Sequence, residues 1–263
     1  MKHEINSLKE KNNNLLKATR EFADLERLKN SFLRMICSEL KTPVSGILGF
    51  SEILNENPTS SENKDIIETI VFASKNLKDY ADTALMITQI EPEQINENMR
   101  PTKLSSLVDY ALSETMHEFS KKEIEICSNL TDELSEIIIE PGLIKDVIQI
   151  ILSDAATNSP SKGMITINLT EFTNKIALEI GDQGRGFSAE KLRNIQDFLK
   201  KDVQSLRSEW AGMHFAIIKF IMHIHKAQVQ IENCKNGGSM VRLIFPVNLS
   251  KGKMMHQALS QLN

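Results

Sequence analysis

The chain has 263 residues, a formal net charge of −4 and 41% apolar residues, which is enough for two modest domains. The acidic balance and the scarcity of aromatics, with one Trp and two Tyr, argue against the basic, stacking-rich surface that nucleic acid requires. Three widely spaced cysteines without a CxxC pattern give neither a disulfide frame nor a zinc site.

From residue 3 onward the pattern is helical. Ile5, Leu8, Leu15 and Phe22, then Leu25, Leu28, Phe32 and Met35, follow a three-and-four spacing with charged residues between them. Asn12 falls on the apolar seam, as the register-setting polar residue of a two-stranded coiled coil does. A helix running to about residue 56 would be roughly 80 Å long and cannot bury its stripe alone. Within ICSELKTPVSGILGFSEIL, residues 36–54, the apolar spacing continues through Pro43. Proline removes a backbone donor and clashes with the preceding turn, so a kink costing about 3 kcal/mol is predicted there. The polar cluster Ser38, Glu39, Lys41 and Thr42 lies just upstream. NENPTSSEN, residues 55–63, supplies a loop, and a second amphipathic run from Ile66 to Ile90 stops near Pro92. Two helices joined by a short loop make a hairpin, and two hairpins make a four-helix bundle, so a homodimer is expected.

Beyond about residue 95 the pattern mixes strands with helices. A helix over 104–120 precedes strands at 123–130 and 135–140, and a helix over 141–158 opens on Pro141. Strands at 163–170 and 174–181 lead into DQGRGF. Helices at 188–201 and 212–226 follow, and QVQIEN and SMVRLIFPV close the domain. This order predicts an α+β sandwich. The chain thus divides into a coiled-coil lead-in (1–24), a helical hairpin (25–95), the sandwich (96–250) and a tail (251–263). No apolar run approaches the roughly 20 residues of a membrane span. MKHEINSLKEKNNNLL has no signal-peptide core, so a cytoplasmic chain, or the cytoplasmic piece of a longer one, is expected. His214, His223 and His225 are expected to line one helix and its solvent edge.

These stretches, taken together, resemble the sensor histidine kinase family over nearly the whole chain. SFLRMICSELKTPVSGILGFSEIL is similar to the family's dimerisation and phosphotransfer helix, and ALMITQIEPEQI to the end of its partner helix. The segments from LSSLVDYAL to GGSMVRLIFPV are similar, in order and spacing, to its ATP-binding catalytic domain. The resemblance implies a helical-hairpin dimer followed by a histidine-kinase-type ATPase α/β sandwich. It also implies that the phospho-acceptor histidine falls at position 38, where this chain has Ser38. A serine hydroxyl needs a strong base and forms a stable ester, whereas imidazole is nucleophilic at neutral pH.

The nucleotide motifs depart as well. The helix at 141–158 matches the family's Asn–Asn–Lys positions with Ile150, Asp154 and Thr157, which share one helix face. Asp154 retains the oxygen chemistry for the Mg²⁺ that the family's second Asn holds. The glycine-rich lid survives only as Gly212, with Trp210 and His214 where glycines would admit phosphate. Asp182 matches the adenine-reading carboxylate, with Gly184 and Gly186 forming its turn. ATP and Mg²⁺ binding is therefore expected to be weak or absent. Thr42 keeps the position from which, in the family, a water is oriented to hydrolyse the aspartyl phosphate of a docked response regulator, and Glu39 is retained three residues before it. The leading expectation is a pseudokinase of two-component signalling that scaffolds or regulates a response-regulator receiver domain or a partner histidine kinase. The alternative is an aspartyl-phosphate phosphatase using Thr42 and Glu39. An active kinase with deviant motifs ranks last.

Overall fold

The computed structural model of the chain describes residues 2–56, 63–90, 95, 97–131, 133–200 and 213–247. Gly212, Trp210 and the tail 251–263 lie outside the described residues. The chain separates into two compact units, one holding the first three helices and the other the described residues from the first strand onward.

The helical unit comprises α1 (Lys2–Glu39), α2 (Lys41–Glu56) and α3 (Asn63–Gln89). The helix break predicted around Pro43 lies at Leu40, the one residue between α1 and α2. Backbone bonding carries across it from Leu40 N to Ile36 O and from Val44 N to Leu40 O. Pro43 has no N–H to offer the carbonyl of Glu39, which loosens the ladder at this step. Pro43 itself is buried, so the kink is held by packing.

In α3 the positions Ile66, Ile70, Ala73, Leu77, Tyr80, Ala84 and Ile87 are half or fully buried, at the three-and-four spacing of one helix face. With Phe32 and Ile36 of α1 they make the inner seam of the unit. Lys29 Nζ donates to Ile90 O at 3.4 Å, joining α1 to the chain just past α3. One step round each helix, Val44 and Leu48 of α2 and Ile67, Val71 and Leu85 of α3 stay exposed in the single chain. Ile36 takes the core and Cys37, about 100° further round, is exposed.

The second unit contains β1 (Arg100–Thr102), α4 (Leu104–Lys121), β2 (Glu125–Asn129), β3 (Ile137–Ile139), α5 (Pro141–Asn158), β4 (Met164–Phe172), β5 (Lys175–Gly181), α6 (Ala189–Lys200), α7 (Met213–Ile224), β6 (Gln228–Asn233) and β7 (Ser239–Pro246). Five strands form one sheet in the order β2-β4-β5-β7-β6. β2 runs parallel to β4 and the other neighbours are antiparallel. β1 and β3 make a separate antiparallel pair.

Alternation along the strands sorts the sheet's two faces. Ile165, Ile167 and Leu169 of β4, Ile176, Leu178 and Ile180 of β5, and Val241, Leu243 and Phe245 of β7 are buried. Val108, Ala111 and Phe119 of α4, Ile144, Ile148 and Leu152 of α5, and Ile217, Phe220 and Ile221 of α7 complete that core. The opposite face is polar. Arg242 Nε donates to Glu179 Oε1 at 2.5 Å, and its other nitrogens reach Gln230 Oε1 at 3.2 Å and Glu232 Oε1 at 3.6 Å. One layer of helices on one sheet face is the predicted α+β sandwich.

Candidate functional site

Two groups of the sequence-predicted residues come out as separate places, one in each unit. In the helical unit, Ser38 is exposed in the last turn of α1, and Thr42 is exposed in the first turn of α2. They stand one helical turn apart across the break, with buried Pro43 beside them. Glu39 closes α1, and its side chain lies outside the described residues. The cluster thus presents two hydroxyls to solvent on a kinked, internally anchored segment.

In the second unit, β5 delivers Asp182 to a buried turn. The residue is 9% exposed, and its carboxylate is held by three donors. Gly184 N donates to Oδ1 at 2.6 Å. Ser239 donates to Oδ2 twice, from its backbone N at 3.2 Å and its Oγ at 2.5 Å. Gly184 is required by closeness, since a Cβ there would lie 2.7 Å from the Asn158 carbonyl oxygen. Gly186 is required by conformation, with φ +67°, a region that side chains disfavour. Asn233 then pins the turn, its Oδ1 accepting from Phe187 N at 2.9 Å and its Nδ2 donating to Phe187 O at 2.7 Å. Burial, then the carboxylates of Asp182 and Glu232, push the Cys234 thiol up, which keeps it a thiol rather than a nucleophilic thiolate. Ser239 escaped sequence reasoning; the Gly-Gly-Ser triplet between the last two strands was the available signal.

Asp154 lies on α5, half-exposed, with its Oδ1 3.7 Å from Nδ1 of His214 on α7. Ile150 is half-buried and Thr157 is exposed on the same helix. The nearby cation Lys122 is committed to the helix end, where Nζ donates to the carbonyls of Ala156 (2.9 Å), Thr157 (2.6 Å) and Ser159 (3.1 Å). This cap satisfies carbonyls that the last turn leaves open. A magnesium ion takes about six oxygen ligands in near-octahedral geometry. Among the described residues no group of three or more His, Cys, Asp or Glu side chains gathers to hold a metal. Magnesium bound with a nucleotide draws only one or two ligands from the protein and the rest from phosphate and water; of these three positions Asp154 offers a carboxylate facing an imidazole, Thr157 a hydroxyl and Ile150 nothing.

The histidines divide differently from the sequence expectation. His223 is exposed, but His225 is buried in the turn after α7. Its Nε2 accepts from Glu140 N at 3.1 Å, which fixes Nδ1 as the protonated nitrogen, donating to Ile221 O at 2.7 Å. Burial lowers its pKa, partly offset by that bond and by Glu140. Glu140 in turn caps α5 through Gly142 N and Leu143 N. His225 therefore ties the start of α5 to the end of α7.

Two protein-family models match the chain. The His Kinase A (phospho-acceptor) domain covers residues 28–93. The histidine kinase-, DNA gyrase B- and HSP90-like ATPase covers residues 139–249. Among curated relatives, the sensor protein KdpD of Clostridium acetobutylicum is 27% identical over 231 residues, 85% of this chain and 25% of the relative. An uncharacterized sensor-like histidine kinase of Rhizobium meliloti is 23% identical over 84% of this chain and 43% of its own length. The chain thus spans less than half of either relative. The Acinetobacter baumannii histidine kinase AdeS shares the fold at a TM-score of 0.56 and 17% identity, over 80% of this chain and 98% of that one. Histidine kinase ThkA, solved in complex with the response regulator protein TrrA, does so at a TM-score of 0.61 and 17% identity, over 89% and 67%. No helix among the described residues is long and apolar enough to cross a membrane. With both characteristic domains matched in order, the chain belongs to the sensor histidine kinase family.

Proposed function

We propose that this chain is a pseudokinase of two-component signalling: a dimer that docks a response-regulator receiver domain, or pairs with a partner kinase, without phosphorylating itself. The observation that carries the reading is Ser38. It stands exposed at the position the family's acceptor imidazole would take, and a serine hydroxyl needs a strong base to become a nucleophile. A phosphoserine ester would also be too stable to pass its phosphate onward. The nucleotide end supports the same reading. Losing two or three charge-assisted phosphate contacts, at about 1.5–3 kcal/mol each, weakens ATP–Mg²⁺ binding by several orders of magnitude. ThkA was solved with a response regulator protein, and that shared fold supports a receiver domain as the docked partner.

A second reading is favoured by Thr42. Its exposed position beside the kink suits it to direct a water in line with a receiver's aspartyl phosphate, a positioning role that needs no covalent intermediate. Glu39 would assist. The test combines two assays. Incubated with labelled ATP and Mg²⁺, the protein is expected to gain no acid-labile phosphate; label stable to base and lost in acid would overturn the pseudokinase reading. With a cognate receiver domain loaded from acetyl phosphate, Thr42→Ala is expected to abolish any acceleration of phosphate loss while receiver binding persists. Ser38→Ala should leave the rate unchanged. Equal rates for Thr42→Ala and the parent would refute the phosphatase reading and leave docking alone.

A further inference from the structure

We propose that the outer face of the five-stranded sheet is a docking surface for this chain's own C-terminal tail, residues 251–263, which lies over an apolar spot where β7 leaves the sheet. Strand register defines the spot. Ile176, Leu178 and Ile180 of β5 and Val241, Leu243 and Phe245 of β7 take the core side, so Ala177 and Ile244 between them point to the outer face. These two are direct partners across β5 and β7.

Their burial does not match the face they stand on. Ala177 is 2% and Ile244 7% exposed, whereas Thr170 and Gln228, which complete the same row across β4 and β6, are exposed. Phe172, in the next row toward the chain exit, is 46% exposed. A branched side chain on a sheet face open to water keeps much of its surface. Ile244 keeps almost none, so a layer lies over it. The tail is the occupant the chain places nearest. β7 ends at Pro246, level with Lys175 and Phe172, and Val247 N donates to Asn174 O at 2.8 Å, which fixes the chain's departure at this end of the sheet. The stretch from Val247 to Met255 can span up to about 27 Å, more than the roughly 19 Å across the whole sheet. In sequence, Met255, Ala258, Leu259 and Leu262 recur at the three-and-four spacing of one helix face, with His256, Gln257, Ser260 and Gln261 between them. That pattern offers an apolar side for Ala177 and Ile244 and a polar side for water.

The test reads side-chain exposure by hydroxyl-radical footprinting and tandem mass spectrometry, on the full chain and on a chain ending at Ser250. Oxidation of Ile244 is expected to rise about threefold or more without the tail, while core-side Phe245 and exposed Tyr110 stay unchanged as references. Met255→Asp/Leu259→Asp in the full chain should reproduce the rise. Gln257→Asp/Gln261→Asp, on the opposite side of the same pattern, should leave Ile244 protected. A smaller rise on removing the tail overturns the proposal, because another layer then covers the face. So does protection that Met255→Asp/Leu259→Asp keeps or that Gln257→Asp/Gln261→Asp loses. Protection of the full chain that fades on hundredfold dilution assigns the cover to a second copy and overturns it equally. Every variant alters the tail alone, and a rise shared by Phe245 is unfolding rather than uncovering, which counts against the proposal.

Discussion

Removing the Ser239 hydroxyl isolates the bond that ties β7 to the Asp182 turn. Asp182 is 9% and Ser239 8% exposed, so the Oγ–Oδ2 contact of 2.5 Å is a buried bond to a carboxylate. Bonds of this class contribute about 1.5–3 kcal/mol. Ser239→Ala leaves two donors on the carboxylate, Gly184 N and Ser239 N, so the loss should fall at the lower end, about 1.5 kcal/mol. Asp182→Ala strips the acceptor from all three donors and should cost about 3 kcal/mol or more. In the double variant the hydroxyl has nothing left to lose. Its cost should match Asp182→Ala alone, giving a coupling of about 1.5 kcal/mol. Urea unfolding of the four proteins, followed by circular dichroism with the slopes compared, measures the cycle. Effects that add to within about 0.5 kcal/mol would show that the hydroxyl and carboxylate do not act together.

Light scattering at micromolar concentration should return about twice the mass of one chain, and Leu48→Glu or Val71→Glu, placed on the exposed apolar faces of α2 and α3, should halve it. A single-chain mass for the parent would refute the bundle. His225 is held neutral by burial, with its pKa below the ordinary 6.5. The folded state therefore binds fewer protons than the unfolded state as pH falls from about 6.5 toward the folded value, and stability should drop across that window. His225→Gln should flatten this part of the urea-midpoint profile between pH 7.5 and 5, and an unchanged slope would remove His225 as its source.

Much of the architecture was legible because its signals are local. Pro141 and the apolar spacing after it fixed α5, and strict alternation fixed β4 and β5. β1 was not legible, since Arg100-Pro101-Thr102 has no alternation and becomes a strand only because β3 pairs with it. The parallel pairing of β2 with β4 was unread for the same reason: register lies between segments, not within one. The site divided along this line too. Asp182, Gly184 and Gly186 are neighbours in sequence and were found together. Ser239, the Asp154–His214 pair and the Glu140–His225 link join residues distant in sequence. His225 was misassigned because the 3.6-residue period was extended past Ile224, where the chain already turns inward.

The polar outer face of the five-stranded sheet governs what this protein does at high concentration. Its two outermost strands are β2 and β6, and on β6 the Ile231 carbonyl already accepts from Gln196 Nε2 of α6. The two strands carry Glu125 and Asn129 on one rim and Gln228, Gln230 and Glu232 on the other, all exposed. Polar and charged side chains make a second sheet a poor neighbour at such rims. A crowded solution of this chain is thereby steered away from fibrous, edge-to-edge growth. Closed pairing through apolar helix faces remains the cheaper route to self-recognition.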